Sequence, residues 1–264
     1  MDLERVQLAI RPRTIFECLD VTFLFCGQHW LGLLLVSAVS VLPVALLDAW
    51  VFSQSHEEAL PLRTYYATSM EIPWATSLLT LYLGQVTFSQ RFSAWRAVRD
   101  LAGAIVPLFV FQFLVRGACV AVLVLSPVAF LSMYYMNEIL LLERPRMSRV
   151  WTRLNAMNAR SVGRIISLRL MDAIVLVGGM IALAALLRGV SALWEDRFEW
   201  GPDRFADDFY ATDWQQRIAF WVMIVFLTVF RFVSYLDGRI RREGWDVELK
   251  LKAQAMLLSQ RETA

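Results

Sequence analysis

The sequence has few residues of the kinds that build chemical sites. It contains only three cysteines and two histidines in 264 residues. Cys18, Cys26 and Cys119 show no CxxC or metal-binding spacing, and neither His29 nor His56 has ligand spacing to Cys, Asp or Glu. Gly-rich phosphate loops and the HExxH, GxSxG and SxxK motifs are also missing. We therefore expect no catalytic, cofactor-binding or metal-binding residues, and a protein that is not an enzyme.

Charged residues are also scarce, at 19% of the chain against about 25% in soluble domains. The hydrophobic share is 58%, and the mean hydropathy is +0.49. The charges are gathered into blocks between apolar runs of about 20 residues, which a soluble helical domain would not leave almost free of charge. A folded basic domain is lacking too, which argues against nucleic-acid binding. This pattern predicts an all-α membrane protein.

The apolar runs predict a bundle of about six transmembrane helices. The run at 103–142 is too long for one crossing at about 1.5 Å per residue, so we interpret it as a hairpin. Its turn falls near Ser126-Pro127 or at Arg116-Gly117, and the sequence does not decide between them. Thr, Ser and Gln residues in the second span favour packing against protein. The predicted transmembrane domain covers 1–237, with spans at about 23–47, 74–92, 103–125, 127–142, 170–194 and 218–236.

The basic residues are distributed unequally between the two sides of this bundle. With a cytoplasmic N-terminus, the inner segments hold 19 of the 26 basic residues, and the two outer loops hold three. The positive-inside rule then places both termini in the cytoplasm. Nearly all basic residues are Arg, which is typical of GC-rich bacterial genomes, so we expect a bacterial inner membrane. The most basic segment, 143–169, favours contact with anionic lipids.

The charged tail at 238–264 is the most specific part of the sequence. We expect the last helix to continue through Arg242, Gly244 to cap it, and Asp246 to start a cytoplasmic amphipathic helix. Its alternating charges suit either a membrane-surface helix or a docking surface for a protein partner. The candidate interface residues are Arg231, Asp237, Arg239, Arg241, Glu243, Trp245, Asp246 and Glu248.

Three charged residues, Arg116, Glu138 and Asp172, are candidates for an interior polar site, because lipid makes such residues costly. Arg116 is an ordinary interfacial residue if the hairpin turns there. Otherwise it must face the bundle interior and needs a carboxylate. For Glu138, pairing with a neighbouring arginine is favoured over a proton relay. Asp172 is similar, since Arg164 and Arg169 lie on the preceding turns.

Three motifs resemble a family of poorly characterised bacterial inner-membrane proteins. They are Arg11-Pro12-Arg13-Thr14 with Glu17 and Asp20, Asn137-Glu138 to Glu143-Arg144, and Tyr235-Leu236-Asp237 through Arg239, Arg241, Glu243-Gly244-Trp245-Asp246 and Glu248-Leu249. Such proteins look like members of operons that also encode a MoxR-type AAA+ ATPase, a von Willebrand-like protein, sporulation-stage-II-M-like and RDD-family membrane proteins, and a transglutaminase-like protein. The resemblance implies a subunit of a membrane assembly, with the MoxR-type ATPase among its candidate partners. It supplies no reaction.

These features predict a non-enzymatic integral membrane subunit. It would scaffold a multi-protein complex through its basic cytoplasmic face and its C-terminal tail. The alternative is a transporter, channel or lipid-handling helix bundle that uses Arg116, Glu138 and Asp172 in its interior.

Overall fold

The computed structural model of the chain describes residues 12–53, 69–88, 92–122, 125–158, 162–194 and 214–243. Within these ranges the regular structure is helical, and none of the described residues forms a strand. Four helical stretches are long and apolar enough to cross a membrane, namely Trp30–Trp50, Ala94–Ala121, Val162–Ser191 and Trp214–Arg242. The predicted all-α class is confirmed at this level, and the four stretches are typical of a membrane protein.

The helices follow one another with short connections wherever the chain is described. In chain order they are α1 (Ile15–Gln28), α2 (Trp30–Ser53), α3 (69–75), α4 (Ser77–Phe88), α5 (Ala94–Leu108), α6 (Arg116–Ala121), α7 (Ser126–Ser132), α8 (Met136–Glu138), α9 (Val150–Asn158), α10 (Val162–Trp194) and α11 (Trp214–Glu243). The π-helical segments Phe109–Val115 and Ile139–Glu143 continue α5 and α8, and a 3-10 turn at Met147–Arg149 precedes α9.

Helix α11 lies at the centre of the bundle. In its most apolar stretch 61% of the residues are buried within the protein, against 6% in α10. It packs against α1, α2, α4, α9 and α10. Apart from Arg231, every residue from Leu227 to Asp237 is buried. A helix that is apolar on most sides is stable only when other helices or lipid cover those sides, and here the helices do so.

Helix α10 presents a continuous apolar face away from the bundle. Its exposed large side chains recur every three to five residues, so they lie along one side of the helix. They are Val162, Ile166, Leu170, Ile174, Val177, Ile181, Leu186, Val190 and Leu193. Such a stripe is far longer than the apolar patches that soluble monomers expose. It fits a helix whose outer side meets lipid.

The hairpin within 103–142 breaks at its later candidate position. Helical structure runs without interruption from Ala94 to Ala121, through Arg116-Gly117, and it resumes at Ser126. Pro127 occupies the first turn of α7, where its missing amide hydrogen leaves no helical bond unmade. Arg116 is therefore inside a helix, and it is 8% exposed.

Two shorter segments fill the interior between the four long helices. In α4 all residues from Leu79 to Gly84 are buried, which agrees with the expected packing of this segment against protein. The segment 126–143 is interrupted by a turn at 133–135, and its second half, from Met133 to Leu141, is buried throughout. Both segments supply core rather than lipid-facing surface.

Several helices start or end at different residues from the predicted spans. A bend at His29 separates α1 from α2, so the helix that covers most of the predicted span 23–47 begins at Trp30. Helices α5 and α10 begin eight or more residues before the spans predicted for them, at Ala94 and Val162. Helix α11 continues through Arg242 to Glu243, as we predicted from the charged sequence that follows the last apolar run. Apolar runs locate the membrane, whereas helices extend past it into charged sequence.

Helices α2 and α4 approach closely because Gly32 has no side chain. A Cβ atom on Gly32 would lie 1.9 Å from the Tyr82 hydroxyl oxygen and 2.7 Å from the adjacent ring carbon. The Tyr82 ring is 6% exposed and rigid, so it has little room to move.

We expect Gly32→Ala to lower the free energy of unfolding by about 1–3 kcal/mol, because overpacking forces neighbouring side chains from their positions. Gly27→Ala on α1 is the matched control, since a Cβ there meets no atom within 4 Å. It should be neutral or stabilise by about 0.5–1 kcal/mol through its helix propensity. Unfolding of both variants in the same detergent would measure the difference, and equal effects would contradict the close approach.

Candidate functional site

A buried ionic junction joins segments from near both ends of the chain. The side chain of Asp237, on α11, is fully buried. Its Oδ1 accepts a hydrogen bond from the backbone N–H of Arg13 at 2.6 Å. Its Oδ2 accepts one from Arg241 Nε at 2.9 Å and pairs with the guanidinium of Arg164. We call Arg13, Arg164, Asp237 and Arg241 the terminal junction.

Both polar groups of the Arg13 backbone, its N–H and its carbonyl, make hydrogen bonds in the junction. The Arg13 carbonyl oxygen accepts hydrogen bonds from Arg241 Nη2 at 2.5 Å and from Arg164 Nη2 at 3.3 Å. Arg13 is 5% exposed. Because buried backbone groups need partners, these bonds hold the chain in a defined position before α1.

The start of α1 explains why the Arg13 backbone is free to make these bonds. Thr14 caps the helix, with its Oγ1 accepting from the Glu17 N–H at 3.2 Å while the Glu17 carboxylate accepts from the Thr14 N–H at 2.7 Å. This reciprocal capping box fixes the first turn of the helix. The carbonyl of Arg13 precedes the helical ladder, so it is available to Arg164 and Arg241.

A second cluster surrounds Glu143 at the end of the π-helical segment Ile139–Glu143. The Glu143 Oε1 accepts hydrogen bonds from the Tyr235 hydroxyl at 2.5 Å and from Arg153 Nη2 at 2.9 Å. Arg153 Nε bonds the other carboxylate oxygen, and Arg239 Nε lies 3.7 Å from Oε1. Glu143 thereby links α9 and α11. We call these four residues the Glu143 cluster.

Arg144, next in the chain, turns the backbone out of this segment. Its φ of 49° is left-handed, and its N–H bonds the Ile139 carbonyl at 3.1 Å. Pro145 follows and cannot continue a helix. The Arg144 side chain pairs with Asp100 on α5 at 2.7 Å. The two arms of the hairpin are therefore tied together at the end where the Glu143 cluster lies.

Arg116 belongs to a chain of buried polar contacts. Its Nη1 donates to Gln112 Oε1 at 3.2 Å, and Gln112 Nε2 donates to Asn137 Oδ1 at 2.6 Å. Asn137 in turn donates to the Pro73 carbonyl at 2.9 Å and to Thr76 Oγ1 at 3.3 Å. The amides of Gln112 and Asn137 thus connect α6 to the helix break between α3 and α4.

Asp172 lies in a cationic and aromatic environment. It is 3.7 Å from Arg169 Nη1 and accepts a hydrogen bond from the Tyr134 hydroxyl at 3.4 Å. The Arg169 guanidinium lies over the Tyr134 ring, 4.4 Å from its centroid, and donates to the Phe130 carbonyl. Arg116 lies over the Phe130 ring at 5.2 Å. The Arg169 guanidinium lies 5.9 Å from the same centroid, so Phe130 interacts with both arginines.

Glu138 is the least satisfied carboxylate of the interior. It is 1% exposed, and neither of its carboxylate oxygens has a hydrogen-bond partner in the described structure. Arg231 Nε lies 3.8 Å from Oε1, and Arg169 and Asp172 are near enough to interact electrostatically. A buried charge without hydrogen bonds is costly. Glu138 is thus a candidate site for a proton or a cation.

The structure brings the three interior candidates, Arg116, Glu138 and Asp172, into one region. Their contacts pass through Asn137, which precedes Glu138, and through the Phe130 ring. We call the whole set the interior polar network: Gln112, Arg116, Tyr134, Asn137, Glu138, Arg169, Asp172 and Arg231.

A pair of carboxyl groups lies where α2 and α3 meet the start of α11. Asp48 is 5% exposed, and Arg217 donates to the Ala49 carbonyl beside it at 3.4 Å. Glu71 Oε2 is buried without a hydrogen-bond partner in the described structure, and the Asp48 carboxylate is near enough to interact with Glu71 electrostatically.

The predicted candidates outside the interior divide between three places. Arg13, Asp237 and Arg241 form the terminal junction, and Glu17 supports it through the capping box. Arg239 joins the Glu143 cluster, and Arg231 joins the interior polar network. Asp20 is exposed on α1 and joins none of them. Glu243 ends α11, while Arg11, Trp245, Asp246 and Glu248 lie outside the described residues.

Sequence reasoning missed most of the partners of these residues. The sequence indicated Arg164 as a neighbour of Asp172, whereas in the structure it pairs with Asp237. It indicated Arg153 only through the basic segment 143–169, and Tyr235 only as part of a motif. Gln112 carried a usable signal, since an amide inside a 40-residue apolar run needs a buried partner. The spacing of 73 residues between Arg164 and Asp237 gave no such signal.

No group of three or more His, Cys, Asp or Glu residues that could hold a metal ion occurs in the described parts of the chain. Comparison with protein-family models, with curated proteins and with solved structures gave no match. The resemblance to inner-membrane operon proteins therefore stays a prediction.

We expect Asp237→Asn to destabilise the protein by about 3–5 kcal/mol. The change removes the only carboxylate of the junction and leaves two guanidinium groups without their anion. Asp20→Asn is the matched control, because an exposed residue outside such features changes stability by about 0.5 kcal/mol or less. Unfolding in detergent would measure both, and a small effect of Asp237→Asn would show that the junction does not hold the fold together.

Proposed function

We propose that the protein is a non-enzymatic subunit of a multi-protein assembly in the bacterial inner membrane, with six spans and both termini in the cytoplasm. The hydrogen bonds from Arg13 and Arg241 to one Asp237 carboxylate support an even number of crossings between them, because they hold the residue before the α1 cap and the end of α11 at one side. The Arg144–Asp100 pair holds α5 and the end of the π-helical segment Ile139–Glu143 at one side, which supports an even number of crossings between them. With α3–α4 and residues 126–143 as the two short spans, the four long helices complete six.

The observation that carries the proposal is a rigid, exposed basic turn beside the Glu143 cluster. Arg146, Met147, Arg149 and Trp151 are all exposed, with Met147 and Trp151 at 42% and 41%. Arg, Met and Trp are the residue types enriched in protein interfaces. The Arg144–Asp100 pair and the left-handed turn at Arg144 fix the turn in place. We call residues 146–151 the basic turn, and its partner should carry an acidic surface.

The proposed partners are other membrane proteins and a MoxR-type AAA+ ATPase. This choice of partners rests on the resemblance of the three motifs to the inner-membrane family. The charged tail at 238–264 is the second proposed contact. Within the described residues it ends α11, at Glu243, close to the terminal junction.

We expect Arg146→Gln/Arg149→Gln to release protein companions that co-purify from native membranes in mild detergent. Neutral side chains remove the attraction to an acidic partner while leaving both buried clusters intact. Mass spectrometry of the purified protein would measure the companions, and deletion of residues 246–264 would test the tail in the same way. Arg96→Gln/Arg99→Gln is the matched control, with the same charge change at exposed positions of α5. An unchanged set of companions in the basic-turn variant would contradict the proposal.

The alternative function, a transporter, channel or lipid-handling bundle, is favoured by Glu138. A buried carboxyl with no hydrogen-bond partner is more stable neutral than charged. A membrane protein that moves protons or cations needs such a group in its interior. Asp172 has both a hydrogen bond and an arginine at 3.7 Å, whereas Glu138 has an arginine at 3.8 Å and no hydrogen bond, so Glu138 would be the exchanging group.

We expect a hydrophobic carbodiimide to modify Glu138, because this reagent attacks protonated carboxyl groups in apolar surroundings. Glu143 is the internal control, since hydrogen bonds from Arg153 and Tyr235 stabilise its anion and should protect it. Peptide mass spectrometry would locate the adduct, which Glu138→Gln should abolish. Equal labelling of both residues, or none at Glu138, would count against an exchanging carboxyl.

A further inference from the structure

A pocket of about 730 Å³ opens beside the terminal junction. Its wall is formed by the end of α9, the first turn of α10 and the end of α11. It contains four arginines, and no carboxylate occurs among its lining residues in the described structure. The lining residues are Tyr135, Arg153, Ala156, Met157, Gly163, Arg164, Ile165, Gly238, Arg241 and Arg242.

Carboxylates outside the pocket wall hold three of the arginines in place, and two of these arginines keep hydrogen-bond donors for a ligand. Asp237 anchors Arg164 and Arg241, and Glu143 anchors Arg153. Within the described structure Arg164 bonds through Nη2 alone, and Arg241 through Nε and Nη2. Each guanidinium has five donor hydrogens in a planar fork. The Nη1 groups of Arg164 and Arg241 therefore remain available.

The local charge of the described residues is positive. The guanidinium groups of Arg164 and Arg241 share the single carboxylate of Asp237, which leaves an excess of one positive charge at the edge of the pocket. The first turn of α10 adds backbone N–H groups and the positive end of a helix dipole, with Gly163, Arg164 and Ile165 in the wall. Two independent features therefore favour an anion in the same place.

The position of the pocket selects the kind of anion. It lies at the ends of the candidate spans Val162–Ser191 and Trp214–Arg242, and the ends of such spans are where lipid head groups are expected. The exposed apolar stripe of α10 begins beside it, with Val162 at 61% and Ile166 at 49% exposed. A ligand with a phosphate and acyl chains would place the phosphate among the arginines and the chains along α10.

We propose that this pocket binds a phosphate-bearing anion, supplied by the head group of an anionic phospholipid. A free phosphate ion shares the same recognition chemistry, namely planar bidentate contacts from arginine. The proposal concerns a small-molecule site, and it stands whether or not the basic turn binds a protein partner.

Gly163 allows a test that removes no existing contact. A Cβ atom there meets nothing within 4 Å, so a longer side chain fits. Gly163→Glu puts a carboxylate into the pocket and also favours the start of the helix. Gly163→Gln is its neutral match. Ala94→Glu adds the same charge at an exposed position in the first turn of α5, outside the pocket wall.

The measurement is the thermal unfolding midpoint of delipidated protein in detergent, titrated with short-chain phosphatidylglycerol, phosphatidylcholine of the same chain length, or inorganic phosphate. Ligand that binds only the folded state raises the midpoint in proportion to its saturation. We expect phosphatidylglycerol to raise the midpoint of the wild type, Gly163→Gln and Ala94→Glu. Phosphatidylcholine should have little effect. Gly163→Glu should weaken phosphatidylglycerol binding about tenfold or more, while raising the midpoint without ligand.

A full effect of inorganic phosphate alone would support the pocket and assign it to a free anion. Equal phosphatidylglycerol binding by Gly163→Glu and Gly163→Gln would overturn the proposal. So would the absence of any shift with both phosphatidylglycerol and phosphate in the wild type.

Discussion

The buried carboxylate of Asp237 is the constraint on which the arrangement of the bundle depends. A charge at a fully buried position must be matched by opposite charge and hydrogen-bond donors, or the folded state loses several kcal/mol. The matching groups come from three distant parts of the chain, at Arg13, Arg164 and Arg241. The start of α1, the start of α10 and the end of α11 therefore have to meet. This requirement fixes which ends of these helices lie on the same side.

A similar constraint acts in the interior, where amides and guanidinium groups need partners that lipid cannot offer. The chain meets it with two π-helical segments, which contain Gln112 and Glu143. Pro107 has no amide hydrogen to continue an α-helix, and the first segment begins two residues later, at Phe109. Wider turns change the direction of the side chains that follow. Polar residues of facing segments can then meet, although both carboxylate oxygens of Glu138 are left without a hydrogen bond in the described structure.

The sequence predicted the features that depend on local composition. Hydropathy predicted the all-α class, and the tail predicted the continuation of α11 through Arg242. The need for an arginine near Glu138 followed from the cost of a charge in lipid, yet the partner, Arg231, lies 93 residues further on and no local spacing indicates it. The terminal junction could not be predicted for the same reason, since its residues lie far apart in the chain. Thr14 and Glu17 form a recognisable capping box, but what the preceding backbone bonds to is decided by packing. The ends of the helices could not be predicted either, because hydropathy indicates the apolar run and not the residue at which helical hydrogen bonding stops.

The two groups of charges differ in what they face, and this separates their roles. In the interior polar network, three arginines stand with two carboxylates, and Glu138 and Asp172 each lie within 3.8 Å of an arginine nitrogen. At the junction end, arginines also outnumber carboxylates, and there the excess faces the pocket. An anion bound there would contact Arg164 and Arg241, the same residues that hold Asp237. By linkage, whatever binds the pocket would then stabilise the meeting of α1, α10 and α11 by the free energy of its own binding. A lipid in that position would act as a further member of the junction, so the stability of the bundle would depend on the composition of the membrane around it.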